Sequence, residues 1–527
     1  MDPAYHRRMT RTVRSLVGGA PVGGEPGGSL TITNPARLDQ IVVQAALGDA
    51  ATLIAACRTA RETQRAWAAT PAPVRGRAVQ QFGRLVEDNA VALAQLITRE
   101  IGKPIKEARG EVQEVVDTCN FFLSEGRRLY GQTVPSEMSD KQLFTFRTPV
   151  GVAAIVTAGN FPVAVPSWYI VPALVAGNTV VWKPAEYTPA TAEAFSQLLL
   201  HAGLPAGVFS MVLADGPSTF AGIEQALEGG HVDKIGFTGS TDVGRRIGEL
   251  AGRHLQTPCL ELGGKNPLVV MPDADLDLAV EGALFSGFGT AGQRCTSLGT
   301  AIVHADVHDD FLDRFSKAVS QAPIGDPTDD VLYGPMISSR FCDRFETWLE
   351  LVQPHHAVLG STGIGRITAA NPREGFVGDP EAGLYYHPTI VDGVGPEDDL
   401  AATETFGPLV GVSTFETFDE AMALANGHGY GLSSSIYTTD PLSVFRFRER
   451  VSAGMVSVNN STSGAEAHLP FGGNGRSGNG SRQSGIWVLD QFTRWQAMNW
   501  DYSGHLQKAQ MDVADVDADL GFRLPPT

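Results

Sequence analysis

Two side chains in this sequence have the types and settings for covalent chemistry at an electrophilic carbon. Cys295, within Gly292-Gln293-Arg294-Cys295-Thr296, offers a soft nucleophile. Glu261, within Leu260-Glu261-Leu262-Gly263-Gly264-Lys265, offers a carboxylate base whose neighbouring glycines permit close approach and movement. The chain has five cysteines, Cys57, Cys119, Cys259, Cys295 and Cys342, scattered and without CxxC spacing. An odd, dispersed set fits a reduced compartment. Cys57, Cys119 and Cys342 read as small buried hydrophobes. Cys259 would share a face with Glu261 if that segment is a strand, yet Cys295 remains the chosen nucleophile. Among the 12 histidines no Cys-His spacing marks a thiol protease, and no His or Cys cluster has ligand spacing, so no metal is expected. His355-His356 reads as a solvated loop pair.

Both stretches, in their order along the chain, resemble the signature motifs of the NAD(P)-dependent aldehyde dehydrogenase superfamily, and the match runs from about Asn34-Pro35 to about Asn499. The resemblance implies oxidation of an aldehyde to the acid. An aldehyde carbon releases hydride once it is tetrahedral and electron-rich, which attack by Cys295 achieves. The resulting oxyanion needs donors, and the thioester left after hydride loss is cleaved by water with Glu261 as general base. Ala158-Gly159-Asn160-Phe161-Pro162 resembles the family's NFP segment, which assigns the Asn160 amide and the Cys295 N–H as oxyanion donors. From residue type alone, Asn160 is equally a turn former.

Residues 234–244 read as a strand, a Gly-containing turn and a helix start, and free N–H groups at such a start suit a pyrophosphate. The spacing departs from GxGxxG, so by itself the stretch is equally an ordinary βα turn. Phe237-Thr238-Gly239-Ser240-Thr241 through Gly244 resembles the family's cofactor turn, which implies Gly239, Ser240 and Gly244 as contacts. By the same likeness Lys183 contacts the adenosine ribose and Glu186 repels a 2′-phosphate, favouring NAD over NADP. Glu404 holds the nicotinamide ribose and Phe406 packs near the ring, again by resemblance.

Closer similarity points to the α-aminoadipic semialdehyde dehydrogenase (antiquitin)-like branch, through Gly110-Glu111-Val112-Gln113-Glu114, Arg294 and Thr462-Ser463-Gly464-Ala465-Glu466. In that branch Glu114 would meet a substrate amino group, while Arg294 and the Gly464-Ala465 backbone would meet its carboxylate. Departures after the nucleophile (Thr296-Ser297-Leu298-Gly299) and at Ala467-His468-Leu469-Pro470 weaken that likeness and leave open a generic semialdehyde, with Glu114 on a solvated helix face and Arg294 merely paired with some carboxylate. Transfer of the thioester to CoA is a rival that needs no water base, and a non-catalytic scaffold is a rival of another class.

The elements that must hold these residues follow from periodicity. Amphipathic helical runs cover 53–67 and 74–100; then apolar β-rich runs at 152–157, 179–183, 208–213 and 234–237 alternate with helices at 162–176, 189–202, 217–227 and 241–253. Such alternation predicts an α/β fold with a doubly wound parallel-sheet cofactor domain. A second α/β region with strands at 267–270 and 299–303 and helices at 275–286 and 308–320 predicts the catalytic domain. Domains are expected as a flexible 1–29, an NAD-binding domain of 30–130 and 149–258, a catalytic domain of 259–469, a β oligomerisation arm of 131–148 and 470–500, and a tail of 501–527. The Gly/Pro/Asn-rich 360–383 reads as an exposed excursion.

With 58 acidic against 40 basic residues the net charge is −18, which disfavours nucleic acid and acidic membrane surfaces as partners. No run of about 18 apolar residues suggests a span. Arginines crowd the first residues (Arg7, Arg8, Arg11, Arg14), but no apolar stretch follows, so a cytoplasmic homodimer or homotetramer acting on a small aldehyde is expected.

Overall fold

The computed structural model describes residues 11–361 and 363–526. Two seven-stranded sheets dominate it. The first runs Cys259–Glu261, Lys234–Thr238, Val152–Val156, Thr179–Lys183, Phe209–Met211, Leu16–Val17, Ala20–Pro21. Its first five strands are parallel and the last two antiparallel. Val152–Val156 is followed in sequence by the strand on one side of it and later flanked on the other by Lys234–Thr238, so strand order reverses there. In doubly wound sheets a ligand crevice opens at such a reversal. Helices Ala164–Ala176, Pro189–His201, Gly216–Glu228 and Thr241–Arg253 connect these strands. Ala164–Ala176 is buried at every position, which matches its uninterrupted apolar sequence.

The second sheet runs Ala357–Leu359, Thr389–Asp392, Leu409–Phe415, Leu298–His304, Asn266–Val270, Ser433–Tyr437, Met455–Val458, parallel except at Ala357–Leu359. A separate three-stranded sheet joins Thr493–Asp501, Lys141–Pro149 and Thr133–Pro135. Trp495, Met498, Trp500 and Phe146 stand exposed on it.

Several expectations are corrected. Arg7 and Arg8, in the first ten residues, lie outside the described residues, but 18–28 is not simply a loose lead-in. Leu16 pairs with Met211, Gly18 N–H donates to Ser210, and Leu16–Val17 with Ala20–Pro21 extends the first sheet. Cys259–Glu261 also belongs to that sheet, so it reaches through Glu261 rather than ending at 258. The amphipathic run 74–100 is two helices, Ala72–Asp88 and Ala90–Ile101, parted at Asn89, whose side-chain amide and N–H both turn back to the Leu85 carbonyl. Within 470–500 only Thr493–Asp501 joins the arm sheet, and Phe471, Val488, Leu489 and Phe492 are buried in the body. The excursion 360–383 is anchored: Ile367 is buried, and Arg373 donates to the carbonyls of Val319, Ser320 and Ala322 at the end of helix His308–Gln321. A cation there answers carbonyls the helix cannot satisfy itself.

Candidate active site

Asn160 lies in the turn that carries the chain from strand Val152–Val156 into helix Ala164–Ala176. It is 6% exposed, and its amide donates one N–H to the Gln293 carbonyl at 2.9 Å, which orients the side chain toward the loop holding Cys295. That loop is approached through left-handed backbone at Thr290 (φ 52°), Ala291 (53°) and Gly292 (69°), then leads into strand Leu298–His304. Asn266 clasps it from the other side, donating to the carbonyls of Cys295 and Ser297 at 2.8 and 2.7 Å. Glu261, the last residue of its strand, is 1% exposed, and neither carboxyl oxygen has a hydrogen-bond partner of ordinary geometry among the described residues.

Asn160, Glu261 and Cys295 line one cavity of about 200 Å³, together with Gly239, Ser240, Phe341, Glu404 and Phe406. Burial first, and the neighbouring Glu404 second, push the Glu261 carboxyl up to about 8, while the Cys295 thiol beside it lowers it a little. The Cys295 thiol is itself held well above its ordinary value by burial and then by Glu261 and Glu404. A buried acid with an elevated pKa beside a thiol is arranged to exchange protons near neutral pH.

On one side this cavity continues into a cleft of about 580 Å³ lined by Lys183, Glu186, Phe220, Gly239, Ser240, Arg246, Arg340 and Phe341. Lys183 pairs with Glu186 at 3.3 Å, and burial lowers the Lys183 ammonium pKa. The start of helix Thr241–Arg253 faces the cleft through Ser240, so free N–H groups and a buried cation converge where a dinucleotide's anionic and ribose parts would lie. The residues present therefore fit such a cofactor. Gly244 does not line the cleft. Its missing Cβ lets the helix approach Leu262, whose side chain a Cβ would meet at 2.3 Å. Glu404 is half-buried, accepts from Gly264 N–H at 3.1 Å, and desolvation raises its carboxyl to about 7. Phe406 (φ 36°) has its ring 5.9 Å from Phe341.

On the other side of Cys295 lies a cavity of about 310 Å³, walled by Phe161, Trp168, Phe285 and Phe471 and by Glu114, Arg294, Ser463, Gly464 and Ala465. Glu114 Oε1 has no hydrogen-bond partner among the described residues, and burial, followed by Glu111, lifts the carboxyl to about 8. Arg294 is not a free cation. It is 6% exposed, ion-paired with Glu107, and stacked over Phe285 at 4.5 Å.

Sequence reading missed Glu107, Asn266, Gln293 and helix Ser339–Leu349, which contributes Phe341 and Arg344 to the cavity walls. Only Glu107 left a trace, in the four-residue spacing of Lys103, Glu107 and Glu111. His355-His356 is half buried rather than solvated, because His356 is enclosed. Its Nε2 lies 3.2 Å from Asp398, with His355 also on Asp398, and this trio is the one close-set group of possible metal ligands among the described residues. His356 Nδ1 accepts from Gln353 N–H at 3.0 Å, which leaves the ring proton on Nε2, facing Asp398.

Residues 23–498 match the profile of the aldehyde dehydrogenase family. The chain is 37% identical over 489 residues to the alpha-ketoglutarate semialdehyde dehydrogenase of Haloferax volcanii, covering 92% of this chain and 98% of that one. It is 36% identical over 498 residues to the alpha-aminoadipic semialdehyde dehydrogenase of Bos taurus, covering 92% and 88%. The crystal structure of an aldehyde dehydrogenase from Brucella melitensis biovar abortus 2308 superposes with a TM-score of 0.86 at 31% identity, covering 95% of this chain and 99% of that one. The chain belongs to the aldehyde dehydrogenase family.

Proposed function

We propose that this aldehyde dehydrogenase uses NAD to oxidise a semialdehyde through Cys295, Asn160 and Glu261. The observation that carries the reading is the single cavity these three side chains share, open on one side to the cofactor cleft and on the other to the aromatic-walled pocket. The Cys295 sulfur adds to the aldehyde carbon as its proton passes to Glu261. The oxyanion formed is held by the second N–H of the Asn160 amide and by the Cys295 N–H. A bound NAD supplies the hydride acceptor. Cys295 is then a thioester, and Glu261, having passed its proton to solvent, takes one from the water that attacks it and returns it to the departing sulfur, releasing the carboxylic acid and the thiol. Glu261 beside Cys295 disfavours transfer of the acyl group to CoA.

Members of the family use NAD or NADP. Glu186 on the cleft wall supports NAD, since its carboxylate would oppose a 2′-phosphate. Glu114 supports a substrate whose far end carries an amino group. Arg294, with Glu107 already on one side of its guanidinium, offers its remaining donors beside Gly464 and Ala465 to a carboxylate. The exposed aromatic strand Thr493–Asp501 and the open edge at Met455–Val458 support a homodimer or homotetramer. The five unpaired cysteines support a reduced, cytoplasmic setting. Among the described residues no helix is long and apolar enough to cross a membrane.

The test is a trapped intermediate. In Glu261→Gln given aldehyde and NAD, intact-protein mass spectrometry should find an acyl adduct on Cys295. An adduct on another side chain, or none during turnover, refutes the reading.

A further inference from the structure

The two oxyanion donors proposed above come from segments far apart in sequence, and both are tied to one helix face. Lys103, Glu107 and Glu111 stand four residues apart at and inside the start of helix Ile105–Arg128, so they form one stripe. Glu111 accepts the N–H groups of Val163 and Ala164 at 2.9 and 3.2 Å, at the start of the helix that directly follows Asn160-Phe161-Pro162. Its other oxygen pairs with Lys103, whose ammonium lies 3.5 Å from the centre of the Phe161 ring. Glu107 accepts the Thr290 N–H at 3.1 Å, the Thr290 hydroxyl, and the guanidinium of Arg294, the residue before the nucleophile.

We propose that Glu107 and Glu111 are positioning residues that set the separation between the Asn160 amide and the Cys295 N–H. Left-handed backbone at two non-glycine residues, Thr290 and Ala291, persists only where the surroundings over-determine it. Three donors converging on Glu107 do that for the nucleophile's loop. Glu111 does the same for the asparagine's turn, by satisfying helix N–H groups that have no intrahelical partner. The two carboxylates and the two cations Lys103 and Arg294 cancel in charge, so the stripe fixes geometry without adding net charge beside the reacting sulfur. Hydride transfer and acyl transfer each pass through an oxyanion held by the same two donors, and a displacement of about 1 Å in such a site costs on the order of 100-fold in rate.

This rests on the reading of Cys295 and Asn160 given above, so the experiment separates the two. Full-length wild type, Glu107→Ala, Glu111→Ala, Glu107→Gln and Glu111→Gln are mixed with p-nitrophenyl acetate without cofactor, and the burst of p-nitrophenolate reports acyl transfer. NAD affinity is measured in parallel. The alanine variants should lose the burst rate about 100-fold, with NAD affinity within about twofold of wild type. The glutamine variants should fall between, because their Oε1 still accepts backbone N–H groups while their amide cannot pair with Arg294 or Lys103. Should the alanine variants fail to fold, the glutamine variants carry the test. Folded glutamine variants with a wild-type burst overturn the proposal, as does a loss shared equally by the burst and NAD affinity. Locating the acetyl group in wild type distinguishes the failures: on Cys295 with unchanged bursts, only the positioning claim falls; on another residue, the site reading falls as well.

Discussion

In the first sheet, site residues come from the carboxyl ends of strands. Asn160 follows Val152–Val156, Lys183 closes Thr179–Lys183, Gly239 follows Lys234–Thr238, and Glu261 closes its own strand. In the second sheet they come from the loops that precede strands, Cys295 before Leu298–His304, and Glu404 and Phe406 before Leu409–Phe415. The first arrangement needs little strain, because a strand end and a helix start already converge on a crevice. The second relies on unusual backbone: Thr290, Ala291 and Phe406 all have positive φ. One side of the site is thus what its topology provides by default, and the other is held in place by side chains from elsewhere. Changes on the first side should act mainly on cofactor recognition, and changes on the second mainly on the chemical step, with Asn160 and Glu261 crossing over from the first side and Glu404 and Phe406 from the second.

The largest effect expected is from Cys295→Ala. NADH formation should fall by at least about 10⁴-fold while NAD still binds, and retained turnover would break the division at its centre. Asn160→Ala should lower kcat about 10²- to 10³-fold with little change in the NAD KM, measured by steady-state NADH absorbance. Glu261, raised to about 8, must lose its proton to act as a base, so single-turnover thioester hydrolysis should climb with pH up to about 8 and level off above it. In Glu261→Gln that rise should vanish. Glu186→Ser should improve kcat/KM for NADP relative to NAD by about tenfold, equivalent to about 1.4 kcal/mol, and leave kcat with NAD near wild type. A kcat collapse there would show that the two sides are not separable.

The smallest effect is on stability. Burial holds Glu114 at about 8 in the folded chain, above its ordinary value. The associated stability is complete below the unfolded value and is lost as pH rises through about 8. Glu114→Gln should therefore gain melting temperature over wild type across that window, by about 2–4 °C at its upper end, seen by differential scanning fluorimetry. A gap that does not change with pH would mean the carboxyl keeps its charge.

The same division explains what could be read from sequence. Strands and helices from 152 to 253 were legible almost to the residue, because β-branched runs and helical stretches alternate with local punctuation. Helix Thr241–Arg253 and strand Thr179–Lys183 match their expected bounds. The pairing of Leu16 with Met211 was not legible, since nothing local distinguishes a short glycine-flanked edge strand from a loose segment. On the catalytic side Cys295, Glu261 and Asn160 stood out through motif resemblance. Glu107, Asn266 and Gln293 act through contacts with residues far along the chain and have ordinary local patterns. At Gly244 the motif pointed to a ligand, and the structure adds a packing role that no local pattern announces, since its missing Cβ serves the approach of Leu262.

Phe471, in the wall of the aromatic pocket, and Thr493–Asp501, the exposed outer strand, are joined by a short stretch of one polypeptide. Its end is latched to the body by Asn178, whose amide donates to the Phe492 carbonyl at 2.9 Å. Val150 N–H donates to the same carbonyl at 3.2 Å, and Lys234 donates to the neighbouring Gln491 side chain at 3.0 Å. The rim of the molecule and the wall of its substrate pocket thus lie on one covalent path, pinned to the body at several points between them.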